Sequence, residues 1–290
     1  MITLALAKNC SSTNAIIDRA VRVATFYGFV PFDEAPMAEK AAVSGRIIRI
    51  DPKDVRFVRR EERRLLSTVR VAALRGLGDR RMPALLWKIT PFERGANQCV
   101  LELHSLGMGS AAAEALLITV ADAIISELGI ADRIVRINSI GSGEGAERYL
   151  RELTSFLRKN QHELSNSQRE RFEMDPLGTF LSISEKVHSS LSRAPSSMDY
   201  LNDDERRHFW DVLEYLELAG KAYELSPHVV GSSDCWSHTL FELSAPGKDG
   251  EPRVPLALGG RYDALASRSL GPAAATATVG IMFDLKIPAQ

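Results

Sequence analysis

Cysteine is scarce in this 290-residue chain. Cys10, Cys99 and Cys235 are far apart and odd in number, which argues against a disulfide framework and fits a reducing, cytoplasmic compartment. No CxxC motif and no His–Cys pairing suggests a zinc site, so no metal is expected. Long apolar runs are also missing. Ala111–Ala113 and Leu116–Ala121 are interrupted by Glu114 and Asp122, far short of the roughly 18 residues a membrane helix needs. The N-terminal MITLALAKNCSST has no basic region ahead of its short apolar stretch and makes a poor secretory signal. Neither sign of charge dominates: 36 Lys and Arg stand against 37 Asp and Glu, a net charge of −1. With 20 Gly and 13 Pro the chain is neither collagen-like nor of low complexity. What it does have, 45% hydrophobic and 25% charged residues, is enough for a core and rules out a disordered chain. The length allows one large domain or two small ones.

Periodicity predicts helices over 12–28, 112–128, 144–159 and 203–219. In the last of these Phe209, Trp210, Leu213 and Leu216 are expected to face inward. FVPFDEAP reads as extended. Strands are predicted at 84–89, 98–108, 133–140, 238–244, 254–260 and 275–282, and 165–203 as helix pieces and loops. This arrangement suggests an α+β fold with a mostly antiparallel sheet flanked by helices. Residues 46–81 hold twelve basic and five acidic residues, a surplus of +7, leaving −8 for the remainder. A solvated, salt-bridged helix face is the commoner outcome of such a segment, because Glu61 and Glu62 are interleaved. RNA binding is the alternative, although few aromatics are near for stacking.

Single motifs are weak. GSGEG (141–145) follows a strand and precedes a helix, but it has neither the lysine nor the spacing of a phosphate loop, and a tight turn is the simpler reading. GGRYD (259–263) is denser in recognition groups. His104 on an alternating strand reads as a core or sheet histidine. Cys235 has no neighbouring base and is a poor nucleophile candidate.

The order of segments carries more. FYGFVPFDEAPMAEK (26–40) resembles motif 1 of the histidyl-tRNA synthetase family, with Pro36 and Glu39 in place. RRE (59–61) sits where that family has an Arg-Pro-Glu turn. PFERGANQCVLELHSLGMG (91–109) resembles motif 2 and the Glu-Phe-His segment after it, and AAAEALLI (111–118) the following helix start. INSIGSGEGAERYLREL, DPLGTFLS, HTLFEL and LGGRYDAL follow in the family's order, and VGIMFDL (279–285) lies where motif 3 belongs. The resemblance implies a class II aminoacyl-tRNA synthetase-like core spanning 1–290 as one domain. Residues 144–218 would form a mainly helical insertion between motifs 2 and 3. The sequence closes just past motif 3, so the family's anticodon-binding domain is expected to be absent.

The resemblance also locates the family's chemistry. Amino-acid activation needs cations against the ATP phosphates, best supplied by arginines. At the family's arginine positions this chain has Pro91, Cys99, Leu101, Gly231 and, at or near motif 3, Phe283 followed by Asp284. The Gln and Glu that read histidine become Ser105 and Gly109, and the paired tyrosines become Cys235 and Trp236. What remains is a candidate vestigial pocket of Glu93, Arg94, Glu102, His104, Glu114, Asp234, Thr239, Glu242, Gly259, Gly260, Arg261, Tyr262 and Asp263. Glu102, Asp234, Glu242 and Arg261 are expected to form one salt network left from the ancestor.

Three functions are compatible with this pattern. One is a non-aminoacylating paralogue that binds or regulates. The second is a regulatory subunit of ATP phosphoribosyltransferase in histidine biosynthesis, partnered with that enzyme's catalytic subunit. The third is a divergent ATP-dependent amino-acid-activating enzyme or tRNA ligase, the only case in which ATP and Mg would be cofactors. A homodimer is expected in each.

Overall fold

A computed structural model describes residues 13–34, 53, 60–75, 83–91, 98–183, 193–247, 253–270 and 278–286. Helix α1 (Thr13–Phe26) buries Ile16, Ala20 and Ala24, one turn apart, and stops at Gly28, whose φ of 87° is left-handed. FVPFDEAP is extended only at β1 (Val30–Pro31); Phe32–Glu34 then coil into a 3-10 turn that buries Phe32. Helix α2 (Arg60–Leu74) already contains Arg60 and Glu61, so these two begin a helix instead of forming a turn. Pro36, Glu39 and most of the basic segment lie outside the described residues.

The remaining elements are β2 (Ala84–Pro91), β3 (Gln98–Leu106), α3 (Ala112–Glu127), β4 (Ile134–Gly141), α4 (Gly143–Lys159), α5 (Asn166–Arg171), α6 (Pro176–Ser182), α7 (Asp203–Leu218), β5 (Tyr223–Leu225), β6 (Ser237–Ala245), β7 (Val254–Arg261), α8 (Asp263–Leu270) and β8 (Thr278–Lys286). The last strand begins and ends later than its β-branched run suggests. The eight strands form one sheet in the order β1-β2-β3-β8-β7-β6-β4-β5. Only the outermost pairs, β1/β2 and β4/β5, are parallel; the five inner pairings are antiparallel. The class expected from sequence, an α+β fold with a mostly antiparallel sheet, is what forms.

Both faces of the sheet are covered. On one, α1, α3 and α7 pack Ala20, Leu117, Ile124, Val212 and Leu216 against Leu101, Phe241 and Phe283. On the other, α2, α4, α6 and α8 bring Leu65, Leu153, Phe180 and Leu265 against Leu86, Leu240 and Trp236. In α7 the inward face is Phe209, Val212, Leu213 and Leu216 at i, i+3, i+4, i+7. Trp210, expected inside, is 61% exposed, because one residue advances about 100° around a helix and takes it off that stripe. Among the described residues no helix is long and apolar enough to cross a membrane.

Candidate functional site

The α2-facing side of the sheet carries a buried polar cluster. Glu102 and His104 are two residues apart on β3 and therefore share a face. Lys88 sits directly opposite Glu102 on β2, with Nζ 3.3 Å from Oε2. Thr68 of α2 donates to Oε2 at 3.0 Å and Thr90 to Oε1 at 3.2 Å. His104 Nε2 lies 3.2 Å from Glu102 Oε2 and its Nδ1 3.0 Å from the Tyr262 hydroxyl. Burial alone raises the Glu102 pKa, but the His104 hydrogen bond, the charges nearby and Thr68 overcome it and hold the pKa at about 2. His104 is pushed down, first by complete burial and further by Lys88, so it is neutral. Tyr262 is pushed well up by burial and by Glu102, which leaves it a hydroxyl donor. This is a satisfied structural network, as expected for a sheet histidine.

Beside it, Trp236 is packed into the core on the same side of the sheet. It is 1% exposed, and its Nε1 donates to Glu62 Oε1 at 2.9 Å, an oxygen that also accepts from the Ser232 N–H at 2.9 Å. A Cβ on Gly231 would sit 2.4 Å from Trp236 Cδ1, and one on Gly260 3.1 Å from Cε3. The indole thus occupies the volume above both glycines. Gly259 is equally crowded, its Cβ position lying 2.6 Å from the Gly280 carbonyl oxygen. The adjoining Cys235 thiol is buried, and burial with Glu62 and Asp234 pushes its pKa far up, so no thiolate forms.

Arg261 turns to the opposite face. Its Nε and Nη2 donate to the two oxygens of Glu114 on α3 at 3.0 and 3.2 Å, and Nη2 also reaches the Met108 carbonyl. His208 of α7 lies 2.6 Å from Glu114 Oε1. Asp263 is 3.5 Å from Arg261 Nη1. The single network expected of Glu102, Asp234, Glu242 and Arg261 is therefore not formed. Glu102 pairs with Lys88, Arg261 with Glu114, Glu242 with Arg136 at 3.3 Å, and Asp234 with Arg268 at 2.5 Å. Strand alternation sends Arg261 to the opposite side of the sheet from Glu102, while Glu242 shares the Glu102 face but lies across the intervening β7 and β8. Thr239 is buried with its hydroxyl unpartnered. Glu93 and Arg94 lie outside the described residues.

Sequence reasoning missed Glu62, His208, Arg136 and Arg268. The interleaving of Glu61 and Glu62 with arginines predicts a solvated face, yet Glu62 is fully buried. The signal was present: Glu62, Leu65, Leu66 and Val69 stand at i, i+3, i+4, i+7, which puts the carboxylate on the apolar stripe of α2. GSGEG is not an isolated tight turn but a strand-to-helix junction: Gly141 ends β4, Ser142 is the N-cap and residues 143–145 open α4. Gly141 (φ 63°) and Gly143 (φ 50°) flank Ser142 at the start of α4, where Ser142 Oγ donates to Glu205 Oε1 at 2.7 Å. The carboxylate a helix N-terminus favours there is thus already supplied by the protein.

The sheet and its flanking helices are those of the class II aminoacyl-tRNA synthetase core. The structure superposes on apo histidyl-tRNA synthetase from Staphylococcus aureus with a TM-score of 0.63, at 21% identity, covering 94% of this chain and 67% of that one. A Bacillus halodurans protein described as an ATP phosphoribosyltransferase regulatory subunit/histidyl-tRNA synthetase shares the fold at a TM-score of 0.53 and 18% identity, over 93% of this chain and 76% of that one. Within the class, the chain is histidyl-tRNA synthetase-like: it is homologous to the Streptococcus mutans histidine–tRNA ligase, 32% identical over 199 residues, 67% of this chain and 45% of that enzyme. It spans about half the length of the curated relatives it matches. No family model matches the chain.

Proposed function

We propose that this protein is a histidyl-tRNA synthetase-like paralogue that does not aminoacylate and acts by binding or regulation. One observation carries the reading. Of the positions where the resemblance puts phosphate-binding arginines, Cys99, Leu101 and Phe283 are 7%, 1% and 1% exposed in the apolar core against α1 and α3, and Gly231 is capped by Trp236. A guanidinium at Cys99, Leu101 or Phe283 would be desolvated in that apolar core. The residues at these positions therefore offer no cation to the phosphates of ATP, which supports the reading.

The test is titration calorimetry with ATP plus Mg²⁺ and, separately, with histidine, followed by a pyrophosphate-exchange assay. No heat with ATP and no exchange are expected. ATP binding with histidine-dependent exchange would overturn the proposal in favour of a divergent activating enzyme. The second reading, an ATP phosphoribosyltransferase regulatory subunit, is supported by the fold shared with the Bacillus halodurans protein. Against it stand Ser105, buried with an unpartnered hydroxyl, and Gly109, where the family's histidine-reading Gln and Glu would be. Histidine binding, with co-purification of an ATP phosphoribosyltransferase catalytic subunit, would select it.

A further inference from the structure

A groove of about 660 Å³ lies between α1 and α3, bounded by Arg133 ahead of β4 and by Lys221 behind α7. Its size is that of a small-molecule site, and it shares no residue with the polar clusters described above. Helix α1 supplies Arg19, Arg22, Val23 and Phe26, and Tyr27 follows just past its end. Their spacing is i, i+3, i+4, i+7, i+8, a single stripe beside the buried one of Ile16, Ala20 and Ala24. From α3 come the two carboxylates of the groove, Asp122 and Glu127.

The charge in this groove is unbalanced. Asp122 is already satisfied, because Arg133 Nε and Lys221 Nζ donate to its two oxygens. Arg133 is further fixed by Nη1, which donates to the Ile130 and Ala131 carbonyls. Arg19 and Arg22 have no hydrogen bond or ion pair among the described residues, although Glu127 borders the same groove. Four cations thus stand against two carboxylates, and a concave site with a surplus of one sign concentrates ligands of the other. The layout of the arginines selects among anions. A guanidinium fork matches one carboxylate through two parallel hydrogen bonds. Residues three apart on a helix have Cβ atoms about 5–6 Å apart, so Arg19 and Arg22 offer two separate forks instead of one point of charge. Val23 and Tyr27 supply an apolar wall beside them. Phe26, set edge-on to Tyr27 at 5.4 Å, is 85% exposed and leaves more apolar surface uncovered at the rim. We propose that the groove between α1 and α3 binds a dicarboxylate of metabolite size, one carboxylate on each arginine and the hydrocarbon part against Val23 and Tyr27. The site would give a non-aminoacylating paralogue something to bind, but it does not depend on the inactivity proposed above.

The experiment titrates the full chain with glutarate and phthalate, and with benzoate, phenyl phosphate and benzylamine for comparison, by calorimetry and thermal unfolding. Saturable binding of at least one dicarboxylate is expected, weaker for benzoate, absent for benzylamine and reduced by added salt. Arg19→Ala combined with Arg22→Ala should weaken it roughly tenfold or more. Tm should change little, because neither side chain loses a partner among the described residues and alanine favours a helix. Arg151→Ala with Arg158→Ala on α4 removes the same charge elsewhere and should leave the affinity unchanged. Silence with both dicarboxylates, tighter binding of phenyl phosphate, affinity unchanged in the α1 variant, or an equal loss in the α4 variant would each overturn the proposal. Pyrophosphate exchange bears only on the inactivity reading, so failure of one is distinguishable from failure of the other.

Discussion

Arg261 shows what one buried residue decides. It is 2% exposed and its planar fork matches both oxygens of a fully buried carboxylate, Glu114. Removing the cation leaves that carboxylate with His208 alone. Arg261→Met should therefore cost about 3–5 kcal/mol, the range for an orphaned buried charge, whereas Arg261→Met combined with Glu114→Gln should recover part of the loss. Urea unfolding of the three proteins checks this, and equal stability of the single and double variants would show that the pair is not coupled. The sequence singled out both residues but not their pairing. They are 147 positions apart, and no local spacing rule reaches across that distance.

Among the elements, α2 was legible as a basic segment but not as a wall. Its outer face carries Arg63 and Arg70, while Glu62, Thr68 and the apolar residues between them face the sheet. Glu62 ties the helix to the 226–236 loop through the Ser232 N–H and the Trp236 indole. Glu62→Ala should cost about 1–3 kcal/mol, since two buried donors lose their acceptor, and Glu62→Gln less, because the amide oxygen still accepts. The shift in denaturation midpoint measures both, and an unchanged midpoint for the alanine variant would mean the strap contributes nothing. The helix α4 was visible from spacing because it buries one stripe, Ala146, Tyr149, Leu153 and Leu157, and α3 from its long apolar run, which is buried nearly all round. The three-residue β5 and eight-residue α8 were not, since so short a span holds too few periods to distinguish strand, helix and loop.

At the scale of the whole molecule, both faces of the sheet carry buried titratable groups, and this sets the acid limit of the fold. Burial pushes His104 and His238 below the ordinary value of 6.5, aided by Lys88 for His104 and by Arg261 and His208 for His238. The unfolded chain then binds protons that the native state refuses, so stability falls as pH drops below 6.5. Glu102 continues the trend. Its carboxylate is held at about 2 against an ordinary 4.5, so its contribution is present above 4.5 and is lost as pH falls toward 2. Urea midpoints should therefore decline steadily from neutral pH into the acid range. His104→Gln, which keeps a hydrogen-bonding side chain but no titrating ring, should flatten the limb just below 6.5. A wild-type midpoint independent of pH between 6.5 and 4.5 would contradict the assignment of buried neutral imidazoles.

The sequence by itself determined the α+β class, most helices and strands, the glycine turns and the family whose segments it repeats in order, because each follows from local periodicity or from the succession of short motifs. Tertiary structure alone decided which carboxylate meets which cation, that Glu62 is buried, and that Trp236 fills the space over Gly231 and Gly260. Those outcomes depend on which face of the sheet each side chain takes and on what a distant helix lays against it. Strand alternation and long-range packing fix both together, and neither is a property of any stretch of chain taken alone.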